Sequence, residues 1–144
     1  MSIDPASINI AAAEMLSAFQ RRVAGIPYER KGILYSEMFF LYLCAQAAKP
    51  SRIVESGRAR GQSTLVLSTI FPDLDVVSIE SDADSPDVQV AQERLRGRDN
   101  VSMRFGDATR ILPPKCEKGT SSSSTVRRDF AGCAWLCGCS RPGE

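Results

Sequence analysis

The sequence predicts an α/β fold built on a parallel sheet, because three short apolar strands alternate with two helical segments. The strands are predicted at 52–55, 76–79 and 101–105. Parallel strands need a crossover connection, normally a helix, and right-handed crossovers bring all the strand carboxyl ends to one edge of the sheet. In sheets of this kind the ligand crevice lies at that edge.

Two further helices are predicted before the first strand. Asp4 followed by Pro5 is typical of a helix start. Ser36, which we interpret as an N-cap, opens the second helix. We therefore expect N-terminal helices within 1–50 and an α/β core over 51–114.

The helices between the strands are indicated by start and stop signals. One is predicted over 62–71, directly after a glycine-containing turn. Another begins after Ser85 and Pro86 and ends at Gly97. A short third helix is predicted over 108–112, after the last strand.

Composition excludes several function classes. The chain has 144 residues, 18 basic and 17 acidic, so neither a nucleic-acid patch nor more than one domain is expected. It has no histidine, which excludes a Ser-His-Asp triad, a histidine general base and an imidazole zinc site. The apolar run 38–43 is too short to span a bilayer, and no basic-then-apolar leader opens the chain. We expect a cytoplasmic protein with no membrane partner.

The turn after the first strand carries the most informative pattern, E-x-G-x-x-x-G, formed by Glu55, Gly57 and Gly61. Glycines there let a ligand approach the backbone at a helix N-terminus. The dinucleotide fingerprint G-x-G-x-x-G is absent, because Ala59 and Gln62 occupy its second and third glycine positions. A carboxylate at the strand end repels a pyrophosphate but suits a ligand with a cationic end, such as an amino acid joined to a nucleoside. Arg58 and Arg60 in this turn, like Arg94, are interpreted as solvated surface.

This spacing resembles motif I of the class I S-adenosylmethionine (SAM) dependent methyltransferases, and the resemblance covers residues 32–113. The Gly-Gln-Ser-Thr stretch that follows is similar to the one found in small-molecule O-methyltransferases related to catechol O-methyltransferase. The resemblance implies a Rossmann-like sheet, here incomplete after its third strand, with SAM as the cofactor.

The resemblance also implies roles for individual residues. Ser63 helps to hold the methionine end of SAM, Glu80 takes the ribose hydroxyls, and Asp107 with Ala108 lies by the adenine. Because Glu55, Glu80 and Asp107 all follow strand ends, we expect them to share one site. The expected cofactor-binding set is Glu55, Gly57, Gly61, Ser63, Glu80, Asp107 and Ala108.

The segment 115–144 does not fit the fold, because its periodicity disappears where a fourth strand is needed. One interpretation is a disordered C-terminus. The other is an out-of-frame product from about Thr120, since TCN serine codons read two bases later encode Val, Ile, Leu or Phe. Under the out-of-frame interpretation no function is expected for Cys133, Cys137 and Cys139. The alternative is a thiolate metal site that these three cysteines form with Cys116, although C-x-x-x-C-x-C is not a usual zinc spacing.

The predicted function is SAM-dependent O-methyl transfer to a small molecule, and we expect the activity to be weak or absent because the chain is truncated after its third strand. In the metal-dependent relatives an Asp after the fourth strand holds a divalent cation; this chain has no such Asp in frame, so the metal and the catalytic residues stay unassigned. Two alternatives remain. A nucleotide-binding oxidoreductase would use Glu80 for an NAD ribose, but Glu55 and the missing glycines count against it. A non-catalytic module would self-associate into a homo-oligomer through the open sheet edge.

Overall fold

The structure is a computed structural model that describes residues 5–29, 32–111 and 134–137. Five helices and four strands are present in these residues. In chain order they are α1 (Pro5–Val23), α2 (Tyr35–Ala48), β1 (Arg52–Ser56), α3 (Gln62–Ile70), β2 (Asp75–Glu80), α4 (Asp87–Arg94), β3 (Val101–Phe105), α5 (Ala108–Ile111) and β4 (Ala134–Cys137).

The described strands form one sheet in the order β3-β2-β1-β4. β1 pairs with β2 and β2 with β3, both in parallel. The predicted β-α-β-α-β core, preceded by two helices, is therefore confirmed, and it is a Rossmann-like α/β arrangement. The register places Glu55 opposite Ser78 and Glu80 opposite Phe105, so the ends of β1, β2 and β3 meet at one edge.

β4 was not predicted. It lies in the segment 115–144 and pairs with β1 in the antiparallel direction, with Arg52 opposite Cys137. A four-residue strand is too short to show a period in sequence, and its pairing depends on backbone hydrogen bonding to β1. The rest of that segment lies outside the described residues, as do Cys116, Cys133 and Cys139, so both interpretations of it stay predictions.

The apolar core lies between the sheet and the N-terminal helices. Phe19 of α1 packs against Tyr42 of α2 with ring centroids 5.9 Å apart, and Tyr42 packs against Phe71 at 5.8 Å. Ile53 of β1 and Val76 of β2 are fully buried in the same cluster. The two N-terminal helices thus share one core with the α/β unit. Within the described residues, no helix has the length and apolar character needed to cross a membrane.

The start of α2 differs from the prediction. The N-cap is Leu34, with φ −68° and ψ 142°, rather than Ser36, which lies within the first turn. The Leu34 N–H donates to the Glu37 carboxylate at 3.3 Å. A glutamate at the third helical position therefore satisfies the backbone at the helix start, a task that the sequence analysis gave to the serine hydroxyl.

Candidate cofactor site

The turn between β1 and α3 is anchored on the end of β2. The backbone N–H groups of Gly57 and Arg58 both donate to the Ile79 carbonyl, at 2.9 and 3.2 Å. Gly57 has φ +85°, a conformation that favours glycine, and a Cβ built there would meet nothing within 4 Å. The turn therefore leaves open space directly beside its backbone.

Gly61 is explained by packing rather than by open space. Its φ is +74°, and a Cβ there would lie 3.2 Å from both Ala91 and Leu95. The glycine thus lets α4 approach the first residues of α3. Its predicted part in ligand binding stays a prediction.

Glu55 is buried in a cluster of hydroxyl groups. It is 2% exposed, and its carboxylate accepts hydrogen bonds from the hydroxyls of Ser63, Thr64 and Ser78, the last at 2.7 Å. Burial raises the pKa of Glu55, although the three hydroxyl donors and nearby Arg58 act in the opposite direction. The predicted pair Glu55 and Ser63 is therefore in direct contact.

Thr64 and Ser78 were missed by the sequence analysis. Their hydroxyls lie 3.1 Å apart, and both donate to the Glu55 carboxylate. The signal for Ser78 was its register, since it occupies the position opposite Glu55 in the neighbouring strand. Ser78 is the one polar residue between the two ends of β2, and a polar side chain opposite a buried acid indicates a hydrogen-bonding partner.

Glu80 joins the end of β2 to the glycine turn. Its carboxylate accepts hydrogen bonds from the backbone N–H groups of Ala59 at 2.7 Å, Ser81 at 2.8 Å and Asp82 at 3.2 Å. Burial opposes ionisation, but these backbone donors prevail and lower the pKa of Glu80. Ala59 has φ +44°, uncommon for a residue with a Cβ, and the bond to Glu80 supports that conformation.

Asp107 caps the short helix α5. Its side chain accepts hydrogen bonds from the Thr109 N–H at 2.8 Å and from the Thr109 hydroxyl at 2.7 Å. These bonds to Thr109, with a contribution from Arg110, lower the pKa of Asp107. The Gly106 N–H donates to the Glu80 carbonyl at 2.9 Å, so the loop that carries Asp107 and Ala108 is tied to the end of β2. A contact of Asp107 or Ala108 with a base stays a prediction.

Arg58 is not the solvated side chain that we predicted. It is 2% exposed, and its Nη1 donates to the carbonyls of Ser78 at 2.9 Å and Arg104 at 3.3 Å. Burial lowers the pKa of Arg58, while Glu80 and Glu55 act in the opposite direction. The prediction was wrong because the turn, folded back onto β2, directs this side chain over β2 and β3 instead of into water.

Arg60 and Arg94 stay partly exposed, with side chains 37% and 21% accessible, and both bind Glu29. The Glu29 carboxylate accepts from Arg60 Nε and from Arg94 Nη1, the latter at 2.5 Å. Arg60 also contacts Asp87 at 3.3 Å. Burial opposes ionisation of Glu29, but hydrogen bonds from Arg94 and Arg60 prevail and lower its pKa. This ion-pair network fastens the segment before α2 to the glycine turn and α4.

The structure thus brings the predicted residues to the carboxyl edge of the sheet in an ordered row. Glu55 lies near the end of β1, Ser63 in the first turn of α3, Glu80 at the end of β2, and Asp107 after β3. Among the described residues, no group of three or more histidine, cysteine or acidic side chains could hold a metal ion.

Solved structures that are similar to this chain include two bacterial proteins. One is a crystal structure of a Klebsiella pneumoniae protein for which O-methyltransferase activity is proposed; the match has 26% identity, covers 77% of this chain and 47% of that one, and has a TM-score of 0.47. The other is the cofactor-bound protein Rv0187 from Mycobacterium tuberculosis, with 23% identity, 77% and 55% coverage and a TM-score of 0.46. The chain thus spans about half the length of each. No protein-family model and no curated protein matches it.

Proposed function

We propose that this protein binds SAM along the edge formed by Glu55, Gly57 and Glu80, as the cofactor half of a methyltransferase acting on small molecules. The observation that carries the proposal is the pairing of two carboxylates on either side of an open glycine turn. A buried acid lies on one side and a half-buried acid on the other. A ligand with a cationic end and a ribose diol matches that pair.

The methionine end would be held by Ser63 acting with Glu55. The Ser63 hydroxyl donates its proton to Glu55 and is itself half-buried, so its lone pairs can accept a hydrogen bond from an ammonium group. The Glu55 carboxylate behind it, when ionised, strengthens that bond. The ammonium of SAM is thereby stabilised without a direct approach to the buried carboxylate.

The ribose end would be held by Glu80. The Glu80 carboxylate already accepts three backbone N–H bonds, two on Oε1 and one on Oε2, so it is fixed in orientation and keeps one lone pair on Oε2 for a sugar hydroxyl. The low pKa keeps it ionised at neutral pH. The residues present therefore fit the nucleoside part of SAM.

When bound, SAM would supply an electrophilic methyl group, which a nucleophile attacks in line while the sulfonium sulfur leaves as a neutral thioether. The chain's own contribution is to orient that donor: Gly57 gives backbone access, while Glu55 and Glu80 fix the two ends. Positioning of this kind provides most of what such a displacement requires. We assign no general base and no divalent metal.

Nicotinamide dinucleotides are the competing ligands. Glu80 suits an NAD ribose, but the carboxylate of buried Glu55 would repel a pyrophosphate bound at the turn. Calorimetric titration with SAM, with S-adenosylhomocysteine (SAH) and with NAD separates the two. Saturable heat with SAM and SAH alone is expected; saturation with NAD alone would replace the proposal with the oxidoreductase.

A self-associating module is the second candidate, favoured by the exposure of β3. That strand has only one neighbour among the described strands, and Met103 and Phe105 are 38% and 43% exposed. An open edge with apolar side chains favours pairing with a second copy. Light scattering coupled to gel filtration tests this: a monomer at micromolar concentration would exclude it.

A further inference from the structure

Phe105 lies beside the proposed ribose-binding carboxylate. It is the last residue of β3, and the parallel register places it opposite Glu80. Residues opposite one another in a sheet point to the same face. The sequence analysis did not include Phe105 in the site.

The ring of Phe105 is supported from one side by Arg58. The guanidinium carbon lies 4.8 Å from the ring centroid, within the range of a cation–π contact. Arg58 is held in turn through Nη1 by the carbonyls of Ser78 and Arg104. The guanidinium is thus held in place against one face of the ring, while Phe105 as a whole remains 43% exposed.

The placement of Arg58 is costly for stability. Its Nε and Nη2 are buried and have no hydrogen-bond partner among the residues that the structure describes. Buried donors without partners are rare in folded proteins, and the positive charge makes the cost greater. The Nη1 hydrogen bonds and the contact with Phe105 are therefore the interactions that hold the guanidinium in this position.

We propose that the outer face of Phe105 stacks with the adenine base of the bound cofactor and that Arg58 positions the ring from beneath. The inference rests on the proposed SAM site, since Glu80 would hold the ribose next to the ring. A cation on the inner face draws π-electron density towards itself, which reduces the repulsion between the outer face and the π-face of a base. Stacking on an aromatic ring is worth about tenfold or more in affinity.

The test is a calorimetric titration of SAH into the full chain and four variants. Phe105→Ala should weaken SAH binding about tenfold or more, whereas Phe105→Tyr should stay within about threefold. Met103→Ala is the matched control, an exposed apolar residue two positions earlier on the same face, and should stay within about twofold. Arg58→Met should fall between wild type and Phe105→Ala, because the ring loses its support.

S-ribosylhomocysteine, which lacks the adenine, separates stacking from a structural role. Its affinity, measured by competition, should be equal for wild type and Phe105→Ala. Three results would overturn the stacking but not the SAM site. Phe105→Ala could weaken SAH and S-ribosylhomocysteine equally, or it could bind SAH with wild-type affinity. Met103→Ala could also lose as much SAH affinity as Phe105→Ala. A folded wild-type protein that does not bind SAH would overturn the SAM site and the stacking together.

Discussion

The backbone N–H of Ala59 donates a 2.7 Å hydrogen bond to the carboxylate of Glu80, 21 residues further along the chain. This bond links the turn after the first strand to the tip of the second. It also explains how Ala59 keeps a positive φ without being glycine. The residue proposed to hold the ribose is therefore also the one that shapes the glycine turn.

Replacing Glu80 with Gln should destabilise the protein by about 1 kcal/mol at pH 7, because the backbone donors lose a charged acceptor. The folded-state pKa of Glu80 is lowered, so its contribution is present above the unfolded pKa and is lost as pH falls through the folded pKa. Urea unfolding at pH 7 and near pH 3 measures this. Asp84→Asn, an exposed acid in the following loop, is the control and should change little; a difference that persists near pH 3 contradicts the account.

Replacing Glu55 with Gln should change the pH dependence of stability in the opposite sense. Burial raises the folded-state pKa of Glu55 above its unfolded value. The wild type therefore loses stability as pH rises from the unfolded pKa to the folded one, because burying the charged form is costly. Glu55→Gln should not show that loss, so its stability relative to wild type should rise with pH. Thermal unfolding of both proteins from pH 4 to pH 8 checks this, and a stability difference that stays constant over that range argues against the burial effect.

The ion-pair network around Glu29 should make a measurable contribution to the free energy of unfolding, unlike an ordinary surface ion pair. Glu29→Gln removes the shared partner of Arg60 and Arg94 and should cost about 1 kcal/mol, with a smaller effect in 1 M salt. The matched control is Asp75→Asn, which breaks the exposed pair with Arg52, 3.6 Å long, and should cost less than about 0.5 kcal/mol. Equal effects of the two substitutions in urea unfolding would mean that the network adds nothing.

Two glycines with nearly equal φ give a paired test of packing. Gly61 and Gly97 have φ +74° and +76°, but only at Gly61 would a Cβ lie 3.2 Å from Ala91 and Leu95. Gly97→Ala should cost about 1 kcal/mol of conformational strain, and Gly61→Ala more than about 2 kcal/mol because a clash is added. Similar free energies of unfolding for the two variants would contradict the close packing of α4 on the turn.

The fold was predictable where the hydrophobic period of a segment agrees with the residues that start and stop it. β3 was predicted with its observed bounds, and the start of α3 followed from the glycine turn before it. Side-chain partnerships were harder, because they depend on register: nothing local to Ser78 indicates that it lies opposite Glu55. Arg58 was misinterpreted for the same reason, since a turn that folds back onto β2 buries it. The ion pair of Arg94 with Glu29 was missed because its partner lies 65 positions away.

The central claim is that the carboxyl edge of this sheet binds SAM with Glu80 at the ribose. A calorimetric titration of SAM into wild type, Glu80→Ala and the control Asp84→Asn tests it most directly. The account predicts saturable binding by wild type and by Asp84→Asn, and at least a tenfold loss in Glu80→Ala, since a charged hydrogen-bond acceptor is removed. Equal binding by all three, or no binding by a folded wild-type protein, would contradict it.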